Sequence, residues 1–281
     1  MTLIVIGPAT KDLIITGETK IVKTGGASYF QSFVFEKFFP DYMTIVNCEN
    51  KDISREFPDS NKIKVLKKNN THYFVNNYPN MDNTDIRIQS SNFANIPITK
   101  NDLKNVLDGI NEIDAFILNP LNIFDFPLKT IEYLKDFDKN IYISLQGFLR
   151  HPFKEINENS YSIELKPTSD IKDKLSNIEG LFLDEREASI LFDNNDYKSF
   201  NIEEIIITNG SKGSRILSNR EYKIPAVKCE NIVDSTGCGD TYMAAYIAKK
   251  LRSKSILKAA NFASKIASDK LRFNGPFKSD F

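Results

Sequence analysis

Short apolar runs recur along the chain at Leu3–Ile6, Tyr42–Val46, Ala115–Leu118, Ile141–Leu145, Leu181–Leu183 and Ile205–Thr208. Between them lie stretches in which apolar and polar residues mix with a helical spacing. Unbroken apolar runs suit strands covered on both faces, and the mixed stretches suit helices with one buried side. Helices are predicted over Ala27–Phe38, Asp102–Ile110, Leu128–Phe137, Glu185–Phe192, Cys238–Leu251 and Ile256–Leu271. Strand and helix in succession give βαβ units with right-handed crossovers. The predicted fold class is therefore α/β: a three-layer αβα sandwich around a mostly parallel central sheet. Ligands of such sheets bind beyond the carboxyl ends of the strands.

Two stretches break this rhythm. Asp12–Thr24 reads as a hairpin with Gly17 near its turn, and Thr71–Val75 with Asp85–Gln89 reads as a second strand pair. No internal repeat or low-complexity linker separates them from the rest. They are predicted to be insertions, at about 12–24 and 71–90, in a single domain spanning 1–281.

Composition narrows the function classes. The chain has 281 residues and 41% hydrophobic content, enough for a substantial core. Lys+Arg and Asp+Glu are both 37, and no basic block interleaves with aromatic residues, so nucleic acid is not an expected partner. No apolar run reaches membrane-spanning length, and the N-terminus opens on a strand-like segment with no charged leader, so a cytoplasmic protein is expected. Cys48, Cys229 and Cys238 are too scattered for a disulfide framework, and Cys48 and Cys229 read as structural. With His72 and His151 the only histidines, chemistry is left to carboxylates, amides and a metal ion.

The run Val233-Asp234-Ser235-Thr236-Gly237-Cys238-Gly239-Asp240-Thr241 carries the most chemistry. Two glycines flank one small residue where a loop enters an apolar helix, so the first-turn amides of Gly237, Cys238, Gly239 and Asp240 are predicted to face an anion. Asp240 stands beside that anion as a base for a hydroxyl. An ordinary glycine turn capping a core helix is the plainer reading. The heptad from Asp234 resembles the Asp-Thr-x-Gly-Ala-Gly-Asp motif of the ribokinase-like (PfkB) carbohydrate kinase family.

Other segments extend the resemblance from Gly7 to about Gly275. It implies that the strands of the two insertions form a small β lid, with room for a homodimer through it. Asp12 corresponds to a residue that binds substrate hydroxyls, although alone it reads equally as a solvated hairpin residue. Thr24-Gly25-Gly26 resembles the family's glycine pair, whose bare backbone approaches the sugar; Phe30 stands where ribose-type members carry Asn. Ser144-Leu145-Gln146-Gly147-Phe148-Leu149-Arg150 resembles an element of the inositol and polyol kinase subgroup, with Gln146 and Arg150 as substrate contacts and Ser144 in place of an Asp. A surface Arg150 paired with a neighbouring carboxylate is the alternative.

Leu183-Asp184-Glu185-Arg186-Glu187 resembles the family's Asn-x-x-Glu motif. It implies that Glu187 and Asp184 associate with Mg2+, while acids at a helix start also suit the helix dipole without any metal. Ile207-Thr208-Asn209-Gly210-Ser211-Lys212-Gly213-Ser214 resembles the nucleotide-side element, and it makes Thr208, Asn209, Gly210, Lys212 and Gly213 candidates for contact with ATP. Asn261 matches a residue placed beside the base; on a helix it is also an ordinary exposed Asn.

The reading is a kinase that moves the γ-phosphoryl group of ATP to a hydroxyl of a sugar or polyol such as myo-inositol. A nucleoside kinase of the same fold and a catalytically silent ligand-binding relative are the alternatives. A dinucleotide-dependent oxidoreductase does not fit, because Gly7-Pro8-Ala9-Thr10-Lys11-Asp12 lacks the glycine spacing after the first strand.

Overall fold

In the computed structural model, which describes residues 2–78, 88–110, 112–192 and 197–278, the apolar runs become strands as the pattern predicts. In chain order the elements are β1 (Thr2–Ile6), β2 (Thr10–Thr16), β3 (Thr19–Gly25), α1 (Ala27–Phe38), β4 (Tyr42–Cys48), β5 (Ile63–Lys67), β6 (His72–Tyr78), β7 (Ile88–Ser91), α2 (Lys100–Leu107) and β8 (Ile113–Leu118). There follow α3 (Leu128–Lys135), β9 (Asn140–Ser144), α4 (Gln146–Leu149), β10 (Arg150–Asn157), β11 (Ser160–Leu165), α5 (Ile171–Leu175) and β12 (Ile178–Asp184). The chain closes with α6 (Glu185–Leu191), β13 (Ile202–Thr208), β14 (Ser214–Leu217), β15 (Glu221–Ile224), α7 (Cys238–Ser253) and α8 (Ile256–Lys270).

The main sheet has nine strands in the order β15-β14-β13-β12-β9-β8-β1-β4-β5. All its pairs are parallel except the β13-β14-β15 meander at one edge. Strand alternation divides the core between two helical layers. Ile4 and Ile6 of β1 join a cluster with Leu103, Leu107, Ile131 and Leu134 of α2 and α3. Leu3 and Val5 join the opposite cluster with Val34 and Phe35 of α1 and the alanines of α7 and α8. Each buried Leu or Ile contributes about 1.5–3 kcal/mol, so this two-sided burial holds the strand ends that carry the site. Among the described residues no helix is long and apolar enough to cross a membrane.

The second sheet has six strands in the order β10-β11-β7-β6-β2-β3. The hairpin expected over Asp12–Thr24 is β2-β3, turning at Gly17, whose φ of 58° places it in the left-handed region. The second expected pair is β6-β7, antiparallel from Phe74–Ser91 to Asn77–Ile88; Asp85, Ile86 and Arg87 lie outside the described residues. Strands β10 and β11 were not legible in the sequence. β10 is largely exposed and β11 half-buried throughout, so neither shows an apolar run; they pair with each other, and β11 joins the sheet through β7. Helix α2 starts two residues before the predicted Asp102. The Thr99 hydroxyl accepts from the Asp102 amide at 3.2 Å and Asp102 Oδ2 accepts from the Thr99 amide at 2.8 Å, a reciprocal cap.

Candidate active site

The Asp234–Asp240 run makes a tight turn into α7. The Cys238 amide donates to the Ser235 carbonyl at 3.2 Å, and Gly237 between them has φ 76° and ψ 9°, the angles of the third position of a type II turn. Gly237 also caps α7, its carbonyl accepting from the Thr241 amide at 2.8 Å. The Gly239 and Asp240 amides belong to the first helical turn, which has no carbonyl one turn back to receive them. Nothing stands within 4 Å of where a Gly239 Cβ would be, so the approach there is open. The Cys238 amide, expected to face an anion, thus has a partner within the turn itself. The Cys238 thiol lies 3.7 Å from the Ala267 carbonyl, and burial pushes its pKa up to about 11.

Five charged side chains, those of Asp184, Glu187, Asp240, Arg150 and Lys270, act on one another around this turn. Burial pushes the Asp240 carboxyl up to about 6, and Arg150 and Lys270 act against that rise. Burial pushes Glu187 up to about 7; the Asp184 carboxylate adds to the rise, as more weakly does Asp240, while Arg150 opposes it. Asp184 and Glu187 form a reciprocal cap on α6. Asp184 Oδ1 accepts from the Glu187 amide at 2.7 Å, and Glu187 Oε2 accepts from the Asp184 amide at 2.9 Å. Both acids therefore have a structural task that engages one oxygen each. Among the described residues no three His, Cys, Asp or Glu side chains form a metal cage. The donor set suits Mg2+ only as that ion is often held, by one or two carboxylates with phosphate oxygens and water.

The residues expected to bind the acceptor lie in and beside the six-stranded sheet. Thr10 pairs with Gly25 in the β2-β3 ladder, and a Cβ on Gly25 would fall 2.4 Å from Asp12 Oδ2, so the Asp12 carboxylate lies over Gly25. The Thr10 hydroxyl donates to Asp12 Oδ1 at 2.7 Å. Gly26 caps α1, which leads to Phe30. Gln146 and Gly147 form α4 at the end of β9, and Arg150, the first residue of β10, sets its guanidinium 5.5 Å from the centroid of Phe74 in β6. Arg150 thus belongs to the six-stranded sheet, and its charge reaches Asp240. A buried amide pair was missed by sequence reasoning: Gln31 Nε2 donates to Asn119 Oδ1 at 2.9 Å, and Asn119 Nδ2 donates to Ser28 Oγ at 3.1 Å. It ties the start of α1 to the end of β8, and three scattered polar residues gave no signal of it.

On the far side, Asn209 opens a loop in which its amide donates to the Gly213 carbonyl at 2.8 Å and its carbonyl accepts from the Lys212 amide at 2.9 Å. A cavity of about 380 Å³ is lined there by Glu185, Asn209, Lys212, Gly213, Lys223 and Pro225, among others. The Thr208 hydroxyl donates to the Leu183 carbonyl at 3.4 Å, and neither Thr208 nor Gly210 is part of the lining. Asn261 lies on α8 one turn before Ser264, whose hydroxyl donates to the Pro225 carbonyl at 3.0 Å. Its own amide donates to the Leu257 carbonyl at 2.8 Å.

Comparison with known proteins was made on this frame. The model of the pfkB family of carbohydrate kinases matches residues 129–274. A nucleoside kinase of Methanocaldococcus jannaschii is 31% identical over 86 residues, and the match covers 30% of this chain and 28% of that protein. Among solved structures, the fold is similar to a pyrophosphate-dependent kinase in the ribokinase family complexed with a pyrophosphate analogue and myo-inositol. That likeness has a TM-score of 0.80 at 24% identity, covering 98% of this chain and 97% of the other. It is also similar to the Arabidopsis thaliana ribokinase complexed with ribose and ATP, with a TM-score of 0.70 at 17% identity over 98% and 94% of the chains.

Proposed function

This chain belongs to the pfkB family of carbohydrate kinases, and from that premise we propose that it transfers a phosphoryl group to a hydroxyl of a sugar, polyol or nucleoside. The observation that carries the reading is the setting of Asp240. It is a carboxylate at the mouth of a helix N-terminus, raised to about 6 by burial and flanked by Arg150 and Lys270. A base of that kind is ionised at neutral pH yet retains more proton affinity than a solvated Asp. Asp240 takes the proton of the attacking hydroxyl. The Gly239 and Asp240 amides, with Arg150, receive the charge of the phosphoryl oxygens in an arrangement fixed before reaction. Asp12 over Gly25 accepts from hydroxyls of the acceptor, and Gln146 and Arg150 close its other side. Glu187 and Asp184 would hold Mg2+ against the donor phosphates, where the ion supplies charge neutralisation.

ATP is the donor we infer, because the cavity beside Lys212, Lys223 and Pro225 has room for a nucleoside. The likeness to a pyrophosphate-dependent kinase supports a second reading, in which pyrophosphate is the donor and the cavity is idle. Myo-inositol is the first acceptor to test on the same likeness, and nucleosides come next on the shorter match to a nucleoside kinase. The test is a matrix of two donors, ATP and pyrophosphate, against myo-inositol, fructose, ribose and nucleosides, read by phosphorylated product. Product from any pair supports the reading. A protein inert across the matrix would favour a silent ligand-binding relative.

A further inference from the structure

Lys270 ends α8, and its side chain is 0% exposed. A buried ammonium without partners costs several kcal/mol, so a lysine in that position must be held by strong acceptors. Its Nζ donates to the Asp234 backbone carbonyl at 2.7 Å and lies 3.6 Å from Asp234 Oδ2. Asp234 Oδ2 also accepts from the Gly275 amide at 2.9 Å, and Oδ1 accepts from the Thr236 amide at 2.8 Å. The Leu271 carbonyl takes the Val233 and Asp234 amides at 2.8 and 3.3 Å. The ammonium therefore lies in the seam that joins the turn before α7 to the segment after α8.

Peptide geometry gives this contact a direction. In a trans peptide the carbonyl and the following N–H point opposite ways. The bond that draws the Asp234 carbonyl toward Lys270 turns the Ser235 amide away from it. The charge of Lys270 also reaches the Asp240 and Cys238 side chains, where it opposes the effect of burial. Arg150 acts on Asp240 too, but Arg150 begins a strand of the smaller sheet, whereas Lys270 is buried at the end of α8, whose alanines pack in the main core.

We propose that Lys270 is a positioning residue for phosphoryl transfer, a tethered cation that locks the Asp234–Gly239 turn in its anion-receiving form and sets a fixed positive charge behind it. The inference rests on the phosphoryl-transfer reading above. A lysine in the last turn of a helix is commonplace, so nothing in the sequence marked this one.

The test compares wild type with K270M, K270R and K270A. Three measurements are made: affinity for ATP and for pyrophosphate by calorimetry, kcat and KM with the best acceptor, and the pH dependence of kcat. K270M keeps the bulk and removes the charge. It should lose kcat on the order of ten- to a hundredfold, bind the better donor more weakly, and leave the acceptor KM within about twofold. Its acidic limb should move to higher pH, because Asp240 keeps Arg150 and its acidic neighbour Glu187 but loses a cation. K270R should recover part of the loss. K270A should regain activity with ammonium or methylammonium chloride, in a saturable way, and not with sodium chloride at equal ionic strength. A folded K270M with wild-type kcat, donor affinity and pH limb overturns the proposal. Where K270M does not fold, a folded K270A that ignores ammonium overturns it equally. If wild type transfers no phosphoryl group at all, the functional reading fails instead, and unequal donor affinity between wild type and K270M still upholds the role of Lys270 in shaping the anion site.

Discussion

The ring of Phe30 lies against Gly237, so closely that a Cβ on Gly237 would fall 2.3 Å from Phe30 Cδ1. Phe30 is buried, stacked edge-on against Tyr29, and belongs to the helix that Gly26 begins. The contact therefore joins the start of α1 to the turn that leads into α7, across more than two hundred residues of sequence. Phe30 acts as a buried buttress against that turn.

Gly237→Ala should be damaging on two counts. The residue is held at φ 76°, where a side chain is strained, and its methyl group would meet the Phe30 ring. A loss of stability of about 1–3 kcal/mol is expected, with kcat falling on the order of a hundredfold. Adding Phe30→Ala should relieve the clash but not the strain. The double variant should thus be more stable than the two single losses predict by sum. Strict additivity in urea titrations would show that ring and glycine do not meet.

Asp240→Asn should lower kcat on the order of a hundredfold or more while donor binding persists, since the change removes a proton acceptor and little else. The same variant should be more stable than wild type at pH 7.5. A carboxyl raised to about 6 in the folded protein adds stability below its unfolded pKa of about 3.9 and loses it as pH rises through 6. The gain in Tm should vanish near pH 4. A Tm difference independent of pH would mean that Asp240 is not held in this way.

Activity should fall as pH drops through about 6, because the base must be ionised and its pKa in the fold is near that value. An unperturbed Asp would place this limb near 4. The profile of kcat/KM for the free enzyme is the measurement. A limb at or below pH 4.5 would remove Asp240 from the role of a desolvated base.

Glu187, raised to about 7, is partly protonated at neutral pH, and a divalent ion must displace that proton. Mg2+ binding in the presence of donor should release protons near pH 7 and tighten between pH 6 and 8. Glu187→Gln should abolish the release and raise the Mg2+ requirement several-fold more than the acceptor KM. Calorimetry in two buffers of different ionisation enthalpy reads the proton directly. Release unchanged in the Gln variant would assign it to another group.

Much of this site was legible in the sequence, for physical reasons that can be named. Asp240 follows glycines at the start of an apolar helix, and local chain geometry alone puts its amide in a first helical turn. Asp184 and Glu187 stand three apart at a strand end, which fixes their reciprocal cap. That cap also shows why the motif was ambiguous: the acids serve the helix whether or not a metal is present. The Asn209–Gly213 loop closes on itself through local bonds, and the cavity lies beside it. Which partner the Thr208 hydroxyl takes, here the Leu183 carbonyl of β12, depends on the neighbouring strand and was not legible.

What the sequence by itself determined is the set of local features: the apolar runs that become buried parallel strands, the helix starts, and the glycines that turn the chain at strand ends. These depend on interactions spanning a few residues, and pattern reports them. Only the tertiary structure decided which distant groups share one field. It set the Phe30 ring against Gly237, the Arg150 guanidinium over Phe74 with its charge reaching Asp240, the Ser28–Gln31–Asn119 network, and the ammonium of Lys270 on the Asp234 carbonyl. Burial raises the carboxyls of Asp240 and Glu187 only in the assembled fold. Desolvation belongs to no residue alone, and so no motif could have shown it.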